Sequence, residues 1–233
     1  MASAKAVGII KIQPLSMRNA RKKWDFSSVM PSIMLESMEK IAPHILLGAY
    51  AEGVFPMAEE GELLWFSPVN RGVIPLDDQF KIPRGLKKSI RKTPFRITMD
   101  EAFKEVMLGC ADRESTWIDG TILESYHELH ELGFAHSVEC WDDDGLQGGL
   151  YGVKLGNAFF GESMFSRKTD ASKIALVHLV DWLREEGVVL LDTQWMTAHL
   201  RQFGGHEVPR DLYEEMLADA LEELYAEGDI ERV

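Results

Sequence analysis

This 233-residue sequence has little cysteine, no long apolar run and no excess of positive charge. Its two cysteines, Cys110 and Cys140, give neither a disulfide framework nor a metal-ligand spacing, so we expect buried thiols in a reducing compartment. No apolar run approaches the roughly 18 residues of a membrane span. The first residues show no apolar core followed by a cleavage pattern, so we expect no signal peptide. These absences predict a soluble, cytoplasmic protein without membrane contact.

The shortage of positive charge has one local exception. The formal net charge is -13, which argues against indiscriminate coating of nucleic acid. Residues 81–92 nevertheless contain six basic side chains and no acidic one. Helical spacing brings four of them near one face: Arg84, Lys88, Arg91 and Lys92. A solvated helix face and a phosphate-contacting face are both open, and the acidity of the rest of the chain favours the second.

Hydrophobic patterning divides the chain into a small N-terminal part and a larger remainder. Residues 1–30 lack sustained periodicity, which predicts a loosely ordered extension. Apolar spacing between Pro31 and Ala51 predicts one or two short helices. Short apolar runs separated by Pro, Gly and acidic turns then predict a small sheet or turn-rich unit. We place the boundary near Asn70 to Gly72, giving domains of residues 1–71 and 72–233.

The larger part combines strand and helix patterns. After the basic helix come a strand, two helices and three consecutive strands up to about residue 166. The next helix has Asp170 as its expected N-cap and Gly187 as its end, and a strand follows directly. A strand, a helix and a strand in succession form a parallel unit within an otherwise antiparallel meander. The expected fold class is therefore α+β with a mixed sheet.

The third of those strands ends in the polar stretch FFGESMFSR, residues 159–167. Strict alternation along a strand places Phe160, Glu162 and Met164 on one face, and Phe159 and Phe165 on the other. A carboxylate among aromatic side chains needs a partner or a function, because an unpaired buried charge is costly. A structural and a functional Glu162 are both open from this stretch alone.

Two polar residues follow the apolar run of residues 188–191. Asp192 and Gln194 lie two apart, so on a strand they project to the same face. The place where a buried strand turns polar is a common location for a site in a mixed α/β sheet. The alternative is an aspartate that caps a turn beside a solvated glutamine.

Several motifs in one order resemble the leucyl/phenylalanyl-tRNA-protein transferase family. They are EGVFPM, TPFRIT, TWI, ELGFAHSVE, GGLYGV, FFGESMFSR with a following ASK helix, and LLDTQ. The resemblance runs from about Leu46 to about Leu217. It implies a small N-terminal α/β domain joined to a larger domain of the GCN5-related N-acetyltransferase fold. It also implies transfer of leucine or phenylalanine from aminoacyl-tRNA to a protein's N-terminal Arg or Lys, which marks that protein for degradation.

The resemblance further implies a set of site residues. The catalytic positions fall on Glu162, Asp192 and Gln194. Trp117 falls on the tryptophan that stacks on adenine, and Met57 stands where better-known members carry a second tryptophan. The basic helix face would hold the tRNA acceptor stem. The donor's side-chain pocket falls on Leu150, Phe159, Met164 and Leu179.

Elementary chemistry supports this function. An aminoacyl ester is already an activated acyl donor, so we expect no serine or cysteine nucleophile, no metal and no cofactor. The N-terminal amine, with a pKa of about 7.7 to 8.0, is partly neutral at cellular pH. What remains is to align the amine, accept its proton and hold the oxyanion. We expect the Gln194 amide oxygen to accept a hydrogen bond from the amine, and Asp192 to orient that amide.

The expected partners are leucyl- and phenylalanyl-tRNA, with methionyl-tRNA as a further candidate, and the expected state is a monomer. Two other functions are open. An acyl-coenzyme A dependent N-acyltransferase on the same fold would need a glycine-rich pyrophosphate loop, and the segment SRKTDASK has no glycine. A non-catalytic module that binds tRNA or N-terminal residues has no evident need for Glu162, Asp192 and Gln194 together.

Overall fold

Two β-sheets and eight helices make up the part of the chain that the computed structural model describes, which is residues 9–12, 40–92 and 95–227. Most of the expected N-terminal extension, and any helix before residue 40, lies outside these ranges. Within them, no helix is both long and apolar enough to cross a membrane.

The elements alternate along the chain much as the patterning predicts. The strands are β1 (Ile9–Ile12), β2 (Phe55–Glu59), β3 (Glu62–Pro68), β4 (Asn70–Ile74), β5 (Arg96–Met99), β6 (Ala135–Asp142), β7 (Gly145–Leu155), β8 (Ala158–Ser166), β9 (Leu190–Gln194) and β10 (His206–Pro209). The helices are α1 (Pro43–Ala51), α2 (Arg84–Lys92), α3 (Phe103–Ala111), α4 (Gly120–Glu131), α5 (Ala171–Glu185), α6 (Ala198–Arg201), α7 (Arg210–Ala220) and α8 (Glu222–Glu227).

The smaller sheet has three antiparallel strands in the order β1-β3-β2. It confirms the small sheet expected after α1. The expectation of a loosely ordered extension is wrong for β1, which pairs along β3 from Ile9 opposite Pro68 to Ile12 opposite Trp65. Four residues are too few for a periodic pattern to reveal a strand whose backbone partner lies more than 50 residues away.

The larger sheet has seven strands in the order β10-β4-β9-β8-β7-β6-β5 and is mixed, as expected. Only β8 and β9 run parallel among its paired strands, with Phe160 opposite Asp192. Helix α5 connects these two strands, which confirms the strand-helix-strand unit. One apolar core holds α1, α3, α4 and α7, and a second holds α5 and Leu86 of α2. Glu162 and Asp192 therefore lie on central strands between layers of helices.

A β-bulge in β8 changes which side chains share a face. Tyr151 on β7 pairs with Ser163, whereas the next residue, Gly152, pairs with Gly161, so Glu162 is an extra residue on β8. Strict alternation past Glu162 was therefore wrong. Phe159 and Met164 pack in the core with α5, while Phe160 and Phe165 pack in the core with α3 and α4.

Asp170 occupies the N-cap position of α5, as expected. Asp170 has a left-handed backbone, with φ of 66°, and its side chain caps no amide of the helix. Its carboxylate instead accepts hydrogen bonds from Lys173 Nζ at 2.6 Å and from Ser89 Oγ at 2.7 Å. Because Ser89 lies on α2, this contact fastens the basic helix to the start of α5.

The bulge leads to a stability prediction at Gly152. A Cβ there would overlap the carbonyl oxygen of Phe160 and the ring of Phe159. We expect Gly152→Ala to lower the free energy of unfolding by about 1 to 3 kcal/mol, the usual cost of overpacking. The control is Gly48→Ala in α1, where nothing lies within 4 Å of the new Cβ and helix propensity favours alanine. Urea denaturation measures both, and equal stability of the two variants would contradict the prediction.

Candidate active site

A buried ion pair between Arg71 and Asp192 joins β4 to β9. Arg71 Nε lies 2.9 Å from Asp192 Oδ1, and Arg71 Nη2 lies 2.6 Å from Asp192 Oδ2. The two side chains are 1% and 0% exposed. Arg71 Nη1 donates to the carbonyl oxygen of Gly53 at 2.8 Å, and the Tyr213 hydroxyl donates to Asp192 Oδ2 at 2.8 Å. Removing either charge would leave the other buried without its partner.

Aromatic rings enclose the Arg71 guanidinium. Its Cζ lies 4.9 Å from the centre of the Phe55 ring and 4.5 Å from that of Tyr213. Burial by itself would lower the pKa of Arg71, but the Asp192 carboxylate more than offsets this and raises the pKa above its usual value. The guanidinium therefore stays charged between rings that favour a cation.

Asp192 also fixes the backbone of Gln194. Gln194 has φ of 61°, a left-handed conformation that is uncommon outside glycine. Asp192 Oδ1 accepts the Gln194 main-chain N–H at 2.7 Å. We expected Asp192 to orient the side-chain amide of Gln194. That detail is wrong, because the carboxylate contacts the main chain of Gln194 and controls the amide only through the backbone.

The side-chain amide of Gln194 binds Glu162. Gln194 Nε2 donates to Glu162 Oε1 at 2.8 Å, and the Tyr50 hydroxyl donates to the same oxygen at 2.7 Å. The Tyr126 hydroxyl lies 3.4 Å from Glu162 Oε2 and also shares a short hydrogen bond with the Tyr50 hydroxyl. Side chains from α1, α4 and β9 thus converge on one carboxylate carried by the bulge of β8.

Burial gives Glu162 the properties of a proton acceptor. Its side chain is only 9% exposed, and burial raises its pKa to about 7, although hydrogen bonds from Tyr50 and Gln194 act in the opposite direction. Burial, followed by the Glu162 charge, also raises the pKa of Tyr126 well above its usual value, so its hydroxyl stays protonated. A carboxylate that titrates near neutral pH can take up and release a proton during a reaction.

Sequence analysis identified Glu162 and Gln194 as site residues but did not identify the residues around them. Tyr50 and Tyr126 occur within helical apolar spacing, where a tyrosine is indistinguishable from a core residue. Arg71 leaves a weak signal, since it is the only charge within the strand segment NRGVI. Tyr213 leaves none, because it reaches the site from a helix near the end of the described chain.

The four predicted pocket residues belong to one apolar cluster. Leu150, Phe159 and Leu179 are buried, and Met164 packs against them half-buried. The bulge at Glu162 makes this possible, because it returns Met164 to the face that Phe159 occupies. That these side chains form the donor pocket stays a prediction.

The two residues expected to contact adenosine are half-buried neighbours. Trp117 and Met57 both pack against the core that contains α3 and α4. The main-chain N–H of Ala58 donates to the Trp117 carbonyl oxygen at 3.2 Å, which holds the Trp117 turn against β2. Adenosine stacking on them also stays a prediction.

The predicted basic helix is confirmed as α2. Leu86 is buried and Ile90 packs half-buried, which turns the charged side chains outward. None of these cations forms an ion pair with a carboxylate in the described ranges. The exposed residues include the four predicted to bind tRNA: Arg84, Lys88, Arg91 and Lys92.

Possible metal ligands and the two cysteines complete the titratable groups of the described ranges. The described part of the chain contains no group of three or more His, Cys, Asp or Glu residues that could hold a metal ion. Cys110 and Cys140 are free and buried, as expected, and burial raises the pKa of each thiol to about 12.

Comparisons with known proteins give one consistent result. A family model described as leucyl/phenylalanyl-tRNA protein transferase matches residues 73–218, and one for the N-terminal domain of that protein matches residues 39–69. A relative from Akkermansia muciniphila, named leucyl/phenylalanyl-tRNA–protein transferase, is 58% identical over 79% of this chain and 98% of its own length.

Two further relatives carry the same name. That from Ruegeria sp. strain TM1040 is 53% identical over 78% of this chain and 88% of its own. That from Paramagnetospirillum magneticum is 53% identical over 80% of this chain and 92% of its own. Among solved structures, FemX aligns with a TM-score of 0.49 at 11% identity over 74% of this chain and 70% of that chain.

The buried ion pair predicts the outcome of Asp192→Asn. The variant leaves the Arg71 guanidinium buried without its counter-charge, so we expect the free energy of unfolding to fall by about 3 to 5 kcal/mol. Urea denaturation at pH 7 measures the loss. The matched control is Asp143→Asn in the exposed β6–β7 turn, which should change little. A similar small effect at Asp192 would contradict the assigned pairing.

Proposed function

We propose a mechanism from the premise that this chain belongs to the leucyl/phenylalanyl-tRNA-protein transferase family. It is an aminoacyltransferase that moves an amino acid from tRNA to the N-terminus of a protein. The observation that carries this is the 58% identity to a relative of that name over 98% of the relative's length. We further propose leucine, phenylalanine and methionine as donors, and proteins that begin with Arg or Lys as acceptors, whose extension marks them for degradation.

The reaction requires an amine to attack an ester. The acceptor's neutral α-amine forms a bond to the ester carbonyl carbon, the bond from that carbon to the tRNA 3′-terminal ribose oxygen breaks, and an amide results. One proton leaves the amine and one reaches the ribose oxygen. Because the ester is already activated, we propose that no cofactor, metal ion or covalent intermediate is needed.

Glu162 is the group we assign to move that proton. Its pKa of about 7 lies close to that of an N-terminal amine, which favours efficient transfer in either direction. Glu162 Oε1 already accepts two hydrogen bonds, whereas Oε2 has, among the described residues, only the long contact with Tyr126. The less occupied Oε2 is therefore the proton acceptor in this proposal.

Gln194 positions the amine. Gln194 Nε2 donates its hydrogen bond to Glu162. Gln194 Oε1 accepts no hydrogen bond within the described structure, so it can accept one from the attacking amine. This places the amine beside the carboxylate that takes its proton. Asp192 is a positioning residue in this scheme, because it acts through the left-handed backbone of Gln194 and not on the substrate.

The remaining contacts follow the resemblance. Trp117 and Met57 would hold the terminal adenosine, α2 would hold the acceptor stem, and the apolar cluster around Phe159 would hold the donor side chain. These assignments are supported by the exposure of the α2 cations and by the shared face of Phe159 and Met164.

Four further features of the protein can also be proposed. The single parallel pair β8–β9, connected by α5, supports a GCN5-related fold for the larger domain. Strand β3 of the smaller sheet ends at Pro68 and strand β4 of the larger sheet begins at Asn70, which supports a division near this point; the proposed boundary between residues 1–71 and 72–233 falls within β4. One chain supplies Arg71, Glu162 and Gln194, which supports a monomer, and the use of aminoacyl-tRNA supports the cytoplasm.

A mixing assay tests the proposed function. Purified protein, leucyl-tRNA and a peptide that begins with Arg should yield a peptide one leucine heavier, detected by mass spectrometry. Isoleucyl-tRNA should be used about 10- to 200-fold less efficiently, because an apolar pocket discriminates between isomers by about 1 to 3 kcal/mol. The same peptide with a blocked N-terminus is the control. Absence of transfer, or acetyl transfer from acetyl-coenzyme A instead, would contradict the proposal.

The raised pKa of Glu162 predicts a pH dependence. Transfer requires the ionised carboxylate, so single-turnover rates should rise as pH increases through about 7. This rise adds to the one that comes from deprotonation of the acceptor's ammonium group. In Glu162→Gln the rates should fall on the order of 100-fold and keep only the dependence of the amine. An unchanged pH profile in this variant would contradict the assignment.

The same pKa predicts an opposite effect on stability. The folded pKa of about 7 lies above the ordinary 4.5, so the folded protein binds the proton more tightly and loses stability as pH rises from 4.5 through 7. Glu162→Gln lacks this loss. The free energy of unfolding of Glu162→Gln minus that of the wild type should therefore increase from pH 5 to pH 8, towards about 3 kcal/mol. A variant that fails to transfer yet gains stability is folded, which separates chemistry from folding.

A further inference from the structure

A cavity lies close in sequence to the candidate active site. It has a volume of about 270 Å³ and lies between the end of α3 and the end of β8. Its charged lining residues are Arg113, Arg167 and Asp112. Met164, which also belongs to the predicted donor pocket, lines it too. Apart from Met164, no residue that lines this cavity takes part in the contacts proposed so far.

Neutral groups hold both arginines in place. Arg113 Nε donates to the Cys110 carbonyl oxygen at 2.6 Å, and Arg113 Nη2 donates to Ser163 Oγ at 3.1 Å. Arg167 Nη1 donates to the Leu146 carbonyl oxygen at 3.0 Å. A guanidinium has five N–H donors, so each arginine keeps donors for a ligand.

Neither arginine is neutralised. In the described ranges Arg113 and Arg167 form no ion pair with any carboxylate, Asp112 included. The adjacent Lys168 differs, because it pairs with both Asp142 and Asp144. In a chain of net charge -13, two fixed and unpaired guanidinium groups on one cavity favour an anion.

An aromatic wall completes the cavity. The Phe165 ring lies so close to Gly109 that a Cβ there would be 2.7 Å from the ring. Arg167 Cζ lies 5.2 Å from the centre of the same ring. Phe165 is half-buried, and proteins that bind single-stranded nucleic acid combine basic side chains with aromatic rings of this kind.

The two arginines of the cavity are linked through neighbouring residues to Glu162 and to the basic helix. On one side, Arg113 binds Ser163, the residue directly after Glu162. On the other, Arg167 begins the short loop whose Asp170 binds Ser89 of α2. For a tRNA whose acceptor stem lies on α2, we expect the unpaired 3′ end to pass these arginines as it brings the ester to Glu162.

We infer that Arg113 and Arg167 bind a phosphodiester group in the single-stranded 3′ end of the donor tRNA. This inference rests on the proposed function and adds a contact between the acceptor stem and the terminal adenosine. The planar guanidinium groups suit phosphate oxygens. Asp112, on the same wall, offers an acceptor for a ribose hydroxyl.

The test compares two donors in one variant. Arg113→Ala/Arg167→Ala is assayed with leucyl-tRNA and with leucyl-adenosine, which lacks every phosphate, using one peptide that begins with Arg. The ratio of kcat/KM for the tRNA to that for the adenosine donor should fall about 10- to 100-fold, since charged hydrogen bonds are lost. The salt dependence of tRNA use should weaken by about 0.7 in logarithmic slope per phosphate contact.

Two controls accompany it. Arg96→Ala/Lys104→Ala removes the same charge from exposed residues that do not line the cavity and should leave the ratio unchanged. Arg113→Lys/Arg167→Lys keeps the charge and most of the packing, so its salt slope should stay close to that of the wild type. Lys88→Ala/Arg91→Ala on α2 gives the size of an acceptor-stem effect for comparison.

The outcomes separate this inference from the proposed function. A wild-type protein inactive with both donors would contradict the proposed function itself. An active wild type with an unchanged ratio in Arg113→Ala/Arg167→Ala would overturn the inference alone. An equal loss with both donors, with a raised KM for the peptide, would assign the cavity to the acceptor polypeptide and likewise overturn it.

Discussion

The Arg71–Asp192 ion pair is the constraint on which the rest of the site depends. Two charges in a dry interior are stable only when nearly every donor and acceptor is satisfied. Here the partners come from distant parts of the chain: the Gly53 carbonyl, the Phe55 ring and the Tyr213 hydroxyl. The loop after α1, strands β2, β4 and β9, and helix α7 must therefore be in place together.

The ion pair also gives the two carboxylates of the site different roles. The Asp192 carboxylate accepts hydrogen bonds from Arg71, Tyr213 and the main-chain N–H of Gln194, which leaves neither oxygen available to a substrate. No cation from the described part of the chain is bonded to Glu162, and burial raises its pKa to about 7. Environments that separate two acids in this way commonly distinguish the structural or ionised group from the one that moves a proton.

The sequence predicted the mixed sheet, the basic helix and the polar ends of β8 and β9, because each rests on a local pattern. It could not predict the bulge at Glu162, since that depends on the register between β7 and β8 and leaves no mark on alternation. Arg71 and Tyr213 were equally out of reach, because their importance comes from meeting Asp192 across 121 and 21 residues of chain. Family resemblance supplied the identity of Glu162 and Gln194, and the contacts then reassigned how Asp192 assists them.

The most direct test of this account replaces the ion pair without leaving a buried charge. A variant with Arg71→Met, Asp192→Leu and Tyr213→Phe keeps apolar packing, and such replacements of buried pairs are often neutral for stability. The measurement is single-turnover leucyl transfer at pH 8, beside thermal melting. The account predicts a folded protein whose transfer rate is lower by on the order of 100-fold, because Gln194 loses the carboxylate that fixes its backbone. A folded variant that transfers leucine at the wild-type rate would contradict it.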